Sequence, residues 1–160
     1  MMDDNYQTRK LDQLDRRILR TVQRHGDISQ ADLAERVATS PASCWRRLKA
    51  LEDDGVLRET VRLVDPVKVG KGLDVICQVR MKSHATDARA HFEEFALGHD
   101  KVMECYSMSG EWDYLVRVIV RDVREYEEFL MRELLVQDSV ATSASHFALK
   151  RVKSTTAVPV

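Results

Sequence analysis

The sequence predicts an α+β fold of two units, a helical N-terminal unit followed by one that alternates strands and helices. In the first part of the 160 residues, apolar side chains recur every three or four positions, the period of an amphipathic helix. After Gly70-Lys71-Gly72 they alternate, as at Val75 and Cys77, which is typical of a half-buried strand. We therefore expect a tail at 1–10, a helical domain at 11–63, a linker at 64–72 and a second domain at 73–160.

Three short helices account for the first domain. Gly26 follows a basic turn and ends the first helix, because glycine tolerates the left-handed backbone found there. Ser29 and Ser40 are suitable N-caps for the next two, and Pro41 fits a first helical position, where its missing N–H would have no partner. The predicted elements are helices starting near Leu11, Ser29 and Ser40, and a strand or small hairpin over Val56 to Val64.

The second domain follows the order β-α-β-β-α-β, the ferredoxin-like unit. Ser109-Gly110-Glu111 is a tight turn between two strand patterns, which predicts a hairpin. Asp122 is a candidate N-cap for the second helix. The predicted strands lie at 75–81, 102–108, 112–121 and 140–151, and the predicted helices at 86–98 and 122–135.

Composition and charge exclude several classes of protein. The net charge is −1, and no apolar run approaches the roughly 18 residues of a membrane span. The polar start at residues 1–6 is unlike a secretory signal. Cys44, Cys77 and Cys105 are odd in number and far apart, which favours reduced thiols in a cytoplasmic protein. No nucleophile–base pair, phosphate loop or metal quartet stands out, so we expect no enzyme, no cofactor, no metal site and no membrane partner.

A basic patch coincides with the third predicted helix. Residues 36–51 contain four cationic side chains and no acidic one. A contact with a polyanion and an ordinary solvated helix face both explain such a run. A short helix, a tight turn and a helix that starts Ser-Pro and exposes Arg and Lys form the helix-turn-helix pattern, whose second helix fits the major groove of DNA. The candidate DNA-binding residues are Ser29, Gln30, Ser40, Ala42, Ser43, Arg46, Arg47 and Lys49.

Two groups of motifs resemble one protein family. In the first domain they are LDQLDRRIL at 11–19, ISQADLA at 28–34, SPASCWRRL at 40–48 and LEDDGVL at 51–57. In the second domain, Ser109-Gly110-Glu111-Trp112-Asp113-Tyr114 is similar to an S-G-x-x-D-Y turn. Together they resemble the leucine-responsive/AsnC family of transcriptional regulators, from about Leu11 to Val158.

This resemblance implies a regulator with a winged helix-turn-helix domain and a ferredoxin-like domain that senses an amino acid. It implies three partners: a near-palindromic double-stranded DNA operator, an amino-acid effector, and other copies of the chain in dimers and in octamers or other higher rings. Cysteine is one candidate effector, because the Cys44-Trp45 and Glu52-Asp53-Asp54-Gly55 runs look like a branch with a cysteine-responsive member. The implied effector-binding residues, at a subunit interface, are Met108, Ser109, Gly110, Asp113, His146, Phe147 and Ala148.

Several alternatives stay open from the residues alone. Ser109-Gly110 can be a plain hairpin turn with Asp113 as a structural cap, and His146 stands where the family's better-known members would have Tyr or Thr. We expect Trp45 to pack at the edge of the core rather than contact a base. Two other functions compete with amino-acid sensing: an architectural DNA-binding protein without an effector, and a regulator that responds to metal or redox state.

Overall fold

The computed structural model describes residues 9–160 and divides into two compact units. Of the described residues, the first unit contains 9–63 together with Lys153–Val160, and the second contains Val64–Val152; most of the tail predicted at 1–10 lies outside the described residues. The predicted boundaries place residues 153–160 in the second domain, whereas the structure packs them against the first. The reason is a set of contacts that the sequence pattern does not show: Val160 touches the apolar core of the first unit, and Gln23 hydrogen-bonds the backbone of Val158.

Three helices build the first unit: α1 (Gln13–Val22), α2 (Gln30–Arg36) and α3 (Pro41–Asp53). The predicted N-caps of α2 and α3 are confirmed, since the hydroxyls of Ser29 and Ser40 accept hydrogen bonds from the first turn of each helix. Between the three helices lies a small apolar core of Ile18, Leu19, Leu33, Ala34, Val37, Cys44 and Leu51.

The strand expected after α3 is not formed. Gly55 adopts a φ of 68° just beyond the helix, and residues 58–65 run without strand or helix. Val61 and Leu63 are exposed, so the alternation that predicts a strand buries nothing there. A strand needs a neighbouring strand for its backbone hydrogen bonds, and none of the described residues pairs with this segment.

The second unit has a four-stranded antiparallel sheet, which confirms the ferredoxin-like order. The strands are β1 (Leu73–Met81), β2 (Val102–Ser107), β3 (Tyr114–Val120) and β4 (Val140–Phe147), arranged β2-β3-β1-β4. The helices are α4 (Thr86–Gly98) and α5 (Val123–Phe129), and α5 continues as a π-helical turn over Leu130–Leu134.

β4 ends earlier than the sequence predicts. Its last residue, Phe147, lies opposite Val75, and Ala148 donates to the carbonyl of Asp74. β1 begins at Leu73, only two residues before Val75, so a β4 that ran on to Arg151 would pass beyond the end of its partner. The prediction of a strand through Arg151 is therefore wrong by several residues.

The two faces of the sheet differ in what covers them. Val75, Cys77 and Val79 point from β1 into a core shared with aromatic side chains of the helices, among them Phe92 and Phe129. The alternate residues of β1 and β3 point to the opposite, outer face, where they are only partly buried. No helix among residues 9–160 has the length and apolar character needed to cross a membrane.

Candidate functional site

The first candidate site is the exposed N-terminal half of α3. Proline at the first helical position and the Ser40 cap start this helix, and the Ser40 hydroxyl accepts from the Ser43 backbone N–H at 3.3 Å. Ala42 and Arg46 are exposed, and Ser43 is half-buried. Small side chains on the first turn let the backbone of this helix approach another molecule closely.

The cap of α2 lies on the same unit and is built in the same way. Ser29 Oγ accepts from the Asp32 backbone N–H at 3.1 Å and donates to the Asp32 carboxylate at 2.7 Å. Gln30, the first residue of α2, is exposed. The structure thus leaves both predicted DNA-binding residues of this helix start accessible to solvent.

The neighbouring arginines of α3 have different surroundings. Arg46 is exposed and forms no ion pair with any residue that the structure describes. Arg47 turns back toward α1, where its Nη1 lies 2.7 Å from Asp12 Oδ2 and 3.3 Å from Asp15 Oδ1. Lys49 pairs with Asp53 at 3.0 Å, and this hydrogen bond raises the pKa of the lysine. Of these three cations, Arg46 is the one without a carboxylate partner among the described residues.

Asp15 is a buried carboxylate, with 1% of its surface exposed. It belongs to a capping box at the start of α1: its backbone N–H donates to Asp12, and its side chain accepts from the Asp12 backbone N–H. The Asp15 backbone hydrogen bond and the nearby Arg47 lower the pKa of Asp12. Burying an ionised carboxylate is costly unless it is paired, so Arg47 compensates for the burial of Asp15.

Trp45 does not pack as the sequence suggests. We expected a core-edge position, but 52% of its surface is exposed, so that prediction is wrong. Trp45 follows the buried Cys44 on α3, and a flanking position about 100° round the helix can face either the core or solvent. A large aromatic side chain therefore lies open beside Arg46.

The second candidate site is the turn between β2 and β3. The backbone N–H of Met108 donates to the Asp113 carbonyl at 2.8 Å and closes the turn. Gly110 has a φ of 116°, a conformation that side-chain-bearing residues rarely adopt. Met108, Ser109 and Gly110 are exposed, so their backbone groups can approach a ligand.

The carboxylate of Asp113 is partly committed to the fold. Its Oδ2 accepts from the Met81 backbone N–H at 2.7 Å, and its Oδ1 lies 3.2 Å from Nδ1 of His84. The Asp113 backbone N–H also donates to the Val79 carbonyl. These contacts favour the structural-cap interpretation for one carboxylate oxygen, while the other oxygen faces an exposed histidine.

The remaining predicted effector residues lie at the other end of β1. Phe147 is opposite Val75, whereas the turn is hydrogen-bonded to Val79, and these positions on one strand are roughly 13 Å apart at 3.3 Å per residue. His146 points to the outer face, where Nε2 lies 3.3 Å from Gln78 Oε1. Phe147 points the other way, with its ring centroid 5.6 Å from that of Tyr126. Within one chain, the two predicted halves of the pocket do not meet.

A cavity that the sequence did not indicate lies between α4 and the edge strand β2. Its volume is about 430 Å³, and none of the predicted effector residues lines it. Such a cavity depends on how a helix sits on a strand, which periodicity does not reveal. The lining residues are Glu93, Ala96, Leu97, Val102, Met103, Glu104, Cys105, Ser107 and Tyr114.

The three thiols bear on the redox alternative. Cys44 and Cys77 are buried, and Cys105 is exposed at the edge strand. Partial burial and the nearby Glu93 raise the pKa of Cys105 to about 11. A reactive cysteine needs a lowered pKa, so this environment disfavours the thiolate. Among residues 9–160 there is also no group of three or more His, Cys, Asp or Glu side chains placed to hold a metal ion.

Comparison with known proteins identifies the family. Residues 74–158 match the family model described as the Lrp/AsnC ligand binding domain, and residues 11–58 match a winged helix-turn-helix DNA-binding model. The chain belongs to the Lrp/AsnC family. It is a DNA-binding transcriptional regulator with a ligand-binding domain, as the motifs predicted, and the named relatives are regulators rather than enzymes.

Relatives match this Lrp/AsnC regulator over nearly its whole length. The transcriptional activator DecR of Escherichia coli K12 is 36% identical over 150 residues, which are 94% of this chain and 99% of DecR. A regulator from Agrobacterium tumefaciens is 40% identical with a TM-score of 0.89, covering 93% of this chain and 97% of its own. A regulator from Neisseria meningitidis, solved as an L-Met complex, is 37% identical with a TM-score of 0.90, covering 94% and 97%.

Proposed function

We propose that an amino acid modulates the operator binding or the assembly of this regulator. The observation that carries the proposal is the turn at Met108–Asp113, an exposed backbone loop with a carboxylate beside it in a ligand-binding domain. Exposed backbone N–H groups suit the carboxylate of an amino acid, and Asp113 suits its ammonium group. The operator is a near-palindromic DNA duplex, because two copies related by a two-fold axis present two α3 helices.

α3 enters the major groove in this proposal. Arg46 contacts a base edge or a phosphate, Trp45 flanks it, and Arg47 holds the helix on α1 instead of leaving it free to move. Lys49 lies further along the exposed side and contributes a phosphate contact. The residues at the two helix starts complete the interface: Ser29, Gln30, Ser40, Ala42 and Ser43.

The effector pocket is assembled from two chains. The turn at 108–113 and the segment at 146–148 lie at opposite ends of β1, so a pocket that uses both takes one from each of two copies. The outer face of the sheet supports self-association, because Ile76, Leu115 and Ile119 lie on it only partly buried. A second copy covering this face would bury them.

L-methionine is the first effector to test, since the Neisseria relative was solved with it, and L-cysteine is the second. We expect one of the twenty standard amino acids to raise the unfolding temperature of the purified protein. A ligand at 100 times its dissociation constant stabilises a fold by about 2.7 kcal/mol, which thermal-shift measurements resolve. A screen without a hit, on folded protein that still binds DNA, would contradict amino-acid sensing and favour the architectural alternative.

A further inference from the structure

The segment Lys153–Val160, which we call the strap, follows the second unit in the chain but belongs to the first. Gln23, the C-cap residue of α1, holds it through both ends of its amide. Its Nε2 donates to the Val158 carbonyl at 3.1 Å, and its Oε1 accepts from the Val158 N–H at 2.6 Å. The Arg20 Nε donates to the main-chain oxygen of Val160 at 2.6 Å. The strap is therefore docked on α1 by specific backbone recognition.

Apolar contacts reinforce this docking. Val160 packs against the core of the first unit, to which Leu11, Leu14 and Val22 also contribute. Ala157 and Val160 are partly buried, whereas the other strap residues are exposed. The packing of Val160 and three hydrogen bonds to Arg20 and Gln23 therefore fix the strap to the first unit.

Because the strap belongs to the first unit, the chain passes between the two units twice. The first is the stretch after Leu63, and the second is residues 149–152, which join the end of β4 to the strap. The proposed effector residues 146–148 come directly before this second connection. The strap ends on α1, and α1 holds α3 through the pairing of Arg47 with Asp15.

We propose that the strap carries the amino-acid signal from the end of β4 to the DNA-binding unit. This inference rests on the proposed function. A ligand shifts DNA binding only if its own binding differs between two states of the protein. The strap supplies such a difference, because a change at residues 146–148 alters how residues 153–160 sit on α1, and α1 in turn positions α3.

Two pairs of full-length variants test the strap. Val158→Pro removes the backbone N–H that donates to Gln23, while Val158→Ala keeps this donor and is the matched control. Gln23→Ala removes both hydrogen bonds, and Gln13→Ala, an exposed glutamine at the start of α1, is its control. Val158→Pro leaves every residue of the three helices unchanged, so it separates loss of docking from damage to the helices.

The readouts are hydrogen–deuterium exchange of residues 153–160 and operator affinity with and without added amino acid. The probes are L-methionine and an equimolar mixture of the twenty standard amino acids. We expect faster exchange in the strap of Val158→Pro and Gln23→Ala. We also expect the change in operator affinity that the probe causes to be at least fivefold smaller in these variants than in the wild type. Both controls should behave as the wild type.

Each other outcome has a distinct meaning. Equal exchange in wild type and Gln23→Ala would overturn the docking. A full response in Val158→Pro and Gln23→Ala would overturn the signalling role of the strap and leave the proposed function intact. A wild type that responds to neither probe would contradict the proposed function, and the signalling role would fall with it.

Discussion

Arg46→Ala should weaken operator binding by about 1–3 kcal/mol, a factor of roughly 5 to 150, without lowering the unfolding temperature. The reason is that Arg46 is exposed and forms no ion pair within residues 9–160, so the fold loses nothing when it is removed. Fluorescence anisotropy with a labelled operator measures the loss. Titrations at several salt concentrations then distinguish two kinds of contact. Loss of a phosphate contact reduces the salt dependence of binding, whereas loss of a base contact relaxes the sequence specificity at one position.

Arg47→Ala is the matched comparison, because it deletes the same side chain one residue later. Here we expect the unfolding temperature to fall, since the buried Asp15 would lose the nearer of its two arginine partners and keep only Arg9, at 3.9 Å. Losing the partner of a buried charged group costs about 1–3 kcal/mol or more. A stable Arg47→Ala protein with a large loss of operator affinity would instead make Arg47 a direct DNA contact. Unchanged operator affinity in both variants would remove α3 from the interface.

Asp113→Asn should abolish the amino-acid response while leaving the fold and the basal operator affinity unchanged. The asparagine side chain still offers an oxygen to the Met81 N–H, but it has no charge to pair with an ammonium group. Asp113→Ala loses both the oxygen acceptor and the negative charge, so it should also unfold at a lower temperature. Thermal shift gives stability and ligand binding together. A normal response in Asp113→Asn would show that this carboxylate is only a cap for β1.

A pocket shared between two chains leads to a second prediction for Asp113. His146→Ala and Asp113→Asn each disable one half of every pocket in a uniform oligomer. When the two variants assemble together, some pockets combine a normal turn from one copy with a normal His146 from another, and the response should return in part. Failure of the mixed oligomer to respond would contradict a pocket shared between chains.

The parts of the fold that the sequence predicted are those fixed by local chemistry. The Ser29 and Ser40 caps depend on a hydroxyl one position before a helix, and the inner face of β1 depends on strict alternation. The Gly110 turn depends on a backbone conformation that favours glycine. Each of these features is visible within a few residues of sequence.

The parts that the sequence missed depend on contacts between distant residues. Arg47 pairs with Asp15, 32 positions earlier, so its role could not be separated from that of Arg46 by helical period. Residues 153–160 have no periodicity that would place them on α1. The alternation in Val56–Val64 looks like a strand, but the described residues provide no partner for it. Separating the two halves of the effector site required the register of β1 and β4.

The central claim is that an amino acid bound to the ligand-binding domain changes how this regulator binds its operator. The most direct test is the operator dissociation constant of the wild-type protein, measured with and without a saturating concentration of an amino acid that stabilises it. Coupling between two sites typically amounts to about 1–3 kcal/mol, so we predict a change of roughly fivefold or more in either direction, or a change in oligomer size on DNA. An amino acid that binds at saturation while both the dissociation constant and the size of the complex stay the same would contradict the claim.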